Sequence, residues 1–177
     1  SGSACRSLYG GWVKWLMGSA PDGSDSLAVQ VADEAHWPEM RVLILVAFGG
    51  QKEVPSTGGM TTTVATSELL AYRASNIVEK RMQDMEKAIL AKDFGLFAEC
   101  TMKDSNQFHA TCLDTYPPIF YLNQTSKHII NIIHALNDHA KSQNKPPVAA
   151  YTFDAGPNAV IYCLDENLEQ LLSLFTQ

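Results

Sequence analysis

Positive charge is scarce in this chain: 13 Lys and Arg stand against 19 Asp and Glu, for a net charge of -6 over 177 residues. The basic residues form no stripe or cluster, so a nucleic-acid surface, which needs a dense positive field, is not expected. No apolar run approaches the roughly 20 residues that span a bilayer, and no charged-then-apolar leader opens the sequence. The expectation is a soluble, intracellular, cytoplasmic chain with no membrane partner. Cysteine is sparse and scattered: Cys5, Cys100, Cys112 and Cys163 include no C-x-x-C pair, which points to reduced, buried thiols rather than a disulfide framework. His36, His109, His128, His134 and His139 show no H-E-x-x-H spacing, and no protein-held metal is expected. Asn123-Gln-Thr125 matches a glycosylation sequon, read here as chance in a chain without a secretory signal. Internal repeats and low-complexity tracts are also missing.

What is present describes a globular domain with a substantial core, since 46% of residues are hydrophobic and only 18% are charged. Ser1 to Leu8 reads as a helix start closed by Gly10-Gly11, followed by partial strand-like alternation over Trp12 to Met17. Turn-formers around Ala20-Pro-Asp-Gly-Ser-Asp25 mark a surface loop. After His36-Trp37-Pro38, the apolar run Arg41 to Phe48 predicts a strand covered on both faces. Gly49 to Gly59 is a Gly/Ser/Pro-rich connection that runs into a short helix beginning near Thr57 or Gly58. Ser67 to Lys92 carries a helical stripe of Val78, Met82, Met85 and Ile89. Asp93 is placed to cap a further helix, and Pro117-Pro118 interrupts the pattern. A helix from Asn123 to about Ser142 buries Ile129, Ile132, Ile133, Leu136 and Ala140. An amphipathic helix from Glu166 to Phe175 closes the chain. The sum is an α+β fold, helices packed on a mostly antiparallel sheet.

One stretch, Ala150-Tyr-Thr-Phe-Asp-Ala-Gly-Pro-Asn-Ala-Val160, carries the clearest chemical signal. The run Val148 to Phe153 predicts a strand that delivers Asp154 to a Gly156-Pro157 turn, and Ala159 to Leu164 predicts a returning strand. A strand end can fix a carboxylate for chemistry, and a glycine beside it lets a ligand approach. By local pattern alone, an Asp before Gly-Pro is more often an ordinary turn-former. The loop at Ser56 has the same ambiguity, between a phosphate-binding segment and a plain surface connection.

Longer motifs shift both readings. Ser1-Gly-Ser-Ala-Cys-Arg-Ser-Leu-Tyr-Gly-Gly11, His36-Trp37-Pro38, Ser56-Thr57 with Gly59-Met60, Met102-Lys-Asp-Ser-Asn-Gln-Phe-His-Ala-Thr111 and Thr152-Phe-Asp-Ala-Gly-Pro-Asn-Ala159 occur in this order. Together they resemble the mevalonate diphosphate decarboxylases, a family of the GHMP kinase superfamily. The resemblance runs along almost the whole chain. It implies a ferredoxin-like C-terminal half of a GHMP-type fold, with residues 1–37 a remnant of the N-terminal GHMP domain and residues 38–177 the C-terminal-type domain.

The resemblance also implies chemistry. The family phosphorylates the tertiary alcohol of mevalonate 5-diphosphate with ATP and Mg2+, then loses phosphate and carbon dioxide to give isopentenyl diphosphate for isoprenoid and sterol synthesis. Asp154 matches the family's essential aspartate. Arg6 matches the arginine that grips the substrate carboxylate, a task suited to a planar guanidinium. Ser1 and Ser3 match serines near the substrate hydroxyl and diphosphate, and Ser56 matches a diphosphate-side serine. The family's Gly/Ser/Ala-rich ATP loop has no counterpart in this sequence, so its cofactor-binding residues are unassigned and the 177 residues alone are expected to turn over little. A homodimer is the implied assembly. Three alternatives stay open: a non-catalytic truncated form acting through dimerisation, a related GHMP small-molecule kinase, and an unrelated ferredoxin-like binding module.

Overall fold

A computed structural model describes residues 7–47 and 55–176. Its elements form an α+β arrangement. A two-stranded antiparallel ribbon, β1 (Trp12–Trp15) with β2 (Ala28–Ala32), precedes a three-stranded antiparallel sheet of order β3-β5-β4, built from β3 (Met40–Leu45), β4 (Ala149–Phe153) and β5 (Ala159–Leu164). Between β3 and β4 come α1 (Ser56–Thr66), α2 (Glu68–Asn76), α3 (Val78–Ala91), α4 (Phe94–Asp114) and α5 (Gln124–Ser142), and α6 (Asp165–Phe175) follows β5.

Local chemistry accounts for several boundaries. Asp93 caps α4 as expected, its Oδ1 accepting from the Leu96 N–H at 3.0 Å. Asn123 opens α5 with a reciprocal capping box: its side chain accepts from the Ser126 N–H at 2.9 Å, and Ser126 Oγ accepts from the Asn123 N–H at 3.3 Å. The sequon asparagine thus has a structural task. Gly11 sits at φ +73° where a Cβ would lie 2.4 Å from the Ala32 carbonyl oxygen, so only glycine fits the start of the ribbon.

Two expectations need correction. The segment Ser67 to Lys92 forms two helices, α2 and α3, with the break at Ile77 (φ -114°, ψ -45°), and the stripe of Val78, Met82, Met85 and Ile89 lies wholly in α3. No Gly or Pro marks that break, so the segment before Val78 reads as part of the same helix. The strand predicted as covered on both faces is covered on one: Val42 is 51% and Ile44 68% exposed, while Leu43 and Leu45 pack inward. The run is apolar because alternate residues serve two different surfaces. The helix expected over Ser1–Leu8 falls mainly on residues 1–6, outside the described residues, and Ser7 and Leu8 form a turn.

Alternation along β4 and β5 divides the core. Ala149, Tyr151, Phe153, Ala159, Ile161 and Cys163 meet Ile129 and Ile133 of α5 and Leu171 of α6 in one buried cluster. Ala150 joins a second cluster containing Trp37, Ala88, Ile89, Phe94, Phe97 and Ala98. There the Phe97 ring meets Trp12, Trp37 and Tyr162 edge-on at centroid distances of 5.3–5.9 Å. The N-terminal ribbon is fastened to the same cluster by Lys14 Nζ, 2.6 Å from Glu86 Oε2, and by the His36 ring, 2.8 Å from the Ile89 carbonyl oxygen. Cys100, Cys112 and Cys163 are free and buried, and burial pushes the Cys112 thiol up to about 11.

Candidate active site

The β4–β5 turn carries Asp154 to the surface, where it is exposed while Tyr151 and Phe153 before it are buried. The turn is compact, closed by the Gly156 N–H donating to the Asp154 carbonyl oxygen at 2.7 Å. Neighbouring elements hold it from several directions. Ser126 Oγ, in the first turn of α5, donates to the Pro157 carbonyl oxygen at 2.8 Å. Asn158 Oδ1 accepts from the Ala47 N–H at 2.9 Å, tying the turn to the end of β3. On α4, Ser105 Oγ accepts from the Phe153 N–H at 3.1 Å. Ala155 packs on a small cluster of Cys112, Ile119 and Tyr121. A surface carboxylate on a turn held this way has a defined position, which a bare turn-former does not need.

Tyr121 links this turn to Ser56. Ser56 is the first residue of α1 and is partly buried, and Pro55 at the N-cap offers no side chain to the first-turn amides. Gly59, one turn later, approaches Tyr121 so closely that a Cβ there would come 2.3 Å from the phenol oxygen. Tyr121 lies parallel to Phe108 at 6.4 Å and edge-on to His109 at 6.5 Å. Burial pushes the Tyr121 phenol up, with the Asp154 carboxylate and, once ionised, the Cys112 thiolate adding to the shift. The helix that begins at Ser56, through Gly59, and the Asp154 turn, through Ala155, therefore border the same aromatic group from two elements. The base of α1 is set by buried Thr63 Oγ1, 2.8 Å from Thr115 Oγ1, and Ser67 Oγ donates to Asp114 Oδ2 at 2.7 Å.

His109 was not singled out by sequence reasoning as a site residue. It is 8% exposed and sits against Phe108, Tyr121 and Phe153. Burial holds its pKa below the usual histidine value, opposed by a hydrogen bond to the Phe153 backbone and by the Asp154 carboxylate. The signal for it lay in the segment Met102 to Thr111, whose residues Ser105, Asn106 and His109 all face β4. Ser1, Ser3 and Arg6, the other expected site residues, lie outside the described residues. Among the described residues, no three His, Cys, Asp or Glu side chains group as metal ligands, and no helix is long and apolar enough to cross a membrane.

Comparisons with known proteins point to one family. The mevalonate 5-diphosphate decarboxylase C-terminal domain family matches residues 42–177, and the diphosphomevalonate decarboxylase-like N-terminal domain family matches residues 1–28. Diphosphomevalonate decarboxylase of Candida albicans is 58% identical over 174 residues, 98% of this chain and 46% of the relative. A crystal structure of mevalonate 5-diphosphate decarboxylase at 2.3 Å resolution superposes with a TM-score of 0.92 at 55% identity, over 98% of this chain and 43% of that one. A structure described as MDDEF in complex with MVAPP, AMPPCP and magnesium gives 0.83 at 32% identity, over 99% and 51% respectively. The chain thus spans about half the length of the relatives it matches. With its C-terminal family match covering most of the sequence, the chain belongs to the mevalonate diphosphate decarboxylase family.

Proposed function

We propose that this chain forms the part of an ATP-dependent decarboxylase that orients mevalonate 5-diphosphate and activates its tertiary hydroxyl. One observation carries the reading: an exposed Asp154 on a turn held by α4, α5 and β3, bordering the same tyrosine as the Ser56 helix. A tertiary hydroxyl is a poor leaving group until it becomes a phosphate ester. Asp154 accepts the hydroxyl proton as that oxygen attacks the γ-phosphorus of ATP, and the bond from γ-phosphorus to the ADP oxygen breaks. The new ester bond then cleaves, inorganic phosphate departs, and the carboxylate loses carbon dioxide as its bonding pair forms the alkene of isopentenyl diphosphate. Arg6 grips that carboxylate through paired guanidinium donors, and Ser1, Ser3 and Ser56 hold the hydroxyl and diphosphate ends. Magnesium arrives with ATP as part of the substrate; the residues that cradle ATP are not assigned in this sequence.

In this reading residues 1–37 belong to an N-terminal GHMP domain and residues 38–177 to the C-terminal-type domain. The setting is the cytoplasmic mevalonate route to isoprenoids and sterols, and the assembly is a homodimer. The 177 residues on their own turn over little, because the phosphate loop is needed. The test is product formation from ATP and mevalonate 5-diphosphate, by this chain and by a full-length protein containing it. The full-length protein forms isopentenyl diphosphate, and Asp154→Asn lowers kcat by about 100-fold or more. Full activity in Asp154→Asn would remove the aspartate from the mechanism, and wild-type activity of the 177 residues alone would remove the requirement for a phosphate loop.

A further inference from the structure

Strand β4 lies at an edge of its sheet, so backbone groups that face away from β5 need partners from another element. At Phe153, the residue before Asp154, α4 supplies both. The Phe153 N–H donates to Ser105 Oγ. The His109 ring lies edge-on to the Phe153 ring at a centroid distance of 6.2 Å, and a hydrogen bond to the Phe153 backbone acts on its titration. His109 Nε2 is buried with no hydrogen-bond partner, so the bonding atom is Nδ1. With the Phe153 N–H already engaged by Ser105, Nδ1–H donates to the Phe153 carbonyl oxygen. Ser105 and His109 are 4% and 8% exposed and stand four residues apart, one above the other on a single helix face. Asn106, between them, accepts from the Tyr151 hydroxyl at 3.0 Å, two residues back along the strand. The Phe153 carbonyl shares a rigid peptide plane with the Asp154 nitrogen. A grip on that carbonyl is therefore a grip on the plane from which the Asp154 side chain is carried.

We propose that Ser105 and His109 are positioning residues for Asp154, clamping both polar backbone groups of Phe153 so that the carboxylate is presented in one orientation. This rests on the reading of Asp154 as the base. Displacement of a reacting group by about 1 Å costs on the order of 100-fold in rate, so the clamp acts on kcat more than on substrate binding.

The experiment uses the full-length protein of the decarboxylation assay with Ser105→Ala, Ser105→Thr, His109→Leu and His109→Asn. Asparagine carries an amide donor near the place of Nδ1–H, and threonine keeps the acceptor hydroxyl. Ser105→Ala and His109→Leu are expected to lower kcat by about 10- to 100-fold, with KM for mevalonate 5-diphosphate within about threefold. His109→Asn and Ser105→Thr recover to within about fivefold of wild type if restoring the donor or acceptor restores the position. A wild-type kcat in His109→Leu or Ser105→Ala overturns the proposal, as does a kcat loss in His109→Leu that His109→Asn leaves unchanged, or an effect confined to KM. If His109→Leu does not fold, the serine pair and His109→Asn decide on the same criteria. Hydrogen exchange at the Phe153 amide, read in wild type and Ser105→Ala, is independent of turnover. Its acceleration by tenfold or more supports the clamp and an unchanged rate overturns it. If wild type forms no product, the decarboxylase reading fails, and this exchange measurement alone judges the clamp.

Discussion

The two outer strands of the main sheet are both short and apolar, yet they are finished in opposite ways. Along β4, Ala149, Ala150 and Tyr151 are fully buried, and the outward-facing groups of Phe153 are taken up by α4. Along β3, Val42 and Ile44 stand in solvent, as does Val46 just beyond, at 51%, 68% and 71% exposure. Among the described residues nothing covers that face. The strand leading to the carboxylate is wrapped on its faces and its edge, while its counterpart two strands away is wrapped on one face only. Apolar character alone does not locate rigidity; the rigid end is where a helix contributes polar side chains to the backbone of the strand.

The most severe test compares two isoleucines on adjacent strands. Ile161 of β5 is fully buried against the cluster containing Ile129, Ile133 and Leu171. Ile161→Ala is expected to destabilise the fold by about 2–5 kcal/mol, from lost transfer free energy and the cavity left behind. Urea denaturation of the two proteins measures it. A cost below about 1 kcal/mol would mean that the inner face is not the tightly packed one, and the comparison would break.

The hairpin turn joins the two edges, and a smaller effect is expected there. Asn158 Oδ1 receives the Ala47 N–H at the end of β3. Asn158→Ala leaves that donor to water and should cost about 0.5–1.5 kcal/mol, with the denaturant slope unchanged. A cost above about 3 kcal/mol would show the two edges to be a single cooperative unit rather than separately finished.

Much of this was legible in the sequence. The Asp154 hairpin could be read because Val148 to Phe153 alternates and a Gly-Pro turn bounds it, and the starts of α4 and α5 because Asp93 and Asn123 are strong capping residues whose bonds are local. The break at Ile77 could not be read, since no breaker residue intervenes between the segment from Ser67 and the stripe that begins at Val78. The uncovered face of β3 was hidden for a related reason: a continuous apolar run looks the same whether its second face meets helices or nothing described. Ser105 and His109 escaped notice because their meaning depends on Phe153, more than 40 positions away in the chain. A buried histidine on a helix face reads, from sequence, as core.

The smallest expected effect is the one that sharpens the comparison most. Ile44 has the same side chain as Ile161 and the same sheet, in a register where Ile44 pairs with Val160 and Ile161 with Leu43. At 68% exposure it removes little area from water, so Ile44→Ala should change stability by no more than about 0.5 kcal/mol. The result is informative in either direction. A negligible change, beside a cost of several kcal/mol for Ile161→Ala, establishes that burial and not residue type separates the two faces. A cost near 2 kcal/mol would mean that this face is covered in solution. If that cost then grew with protein concentration the cover would be a second copy, because association stabilises by mass action, whereas a concentration-independent cost would place the cover within the same chain.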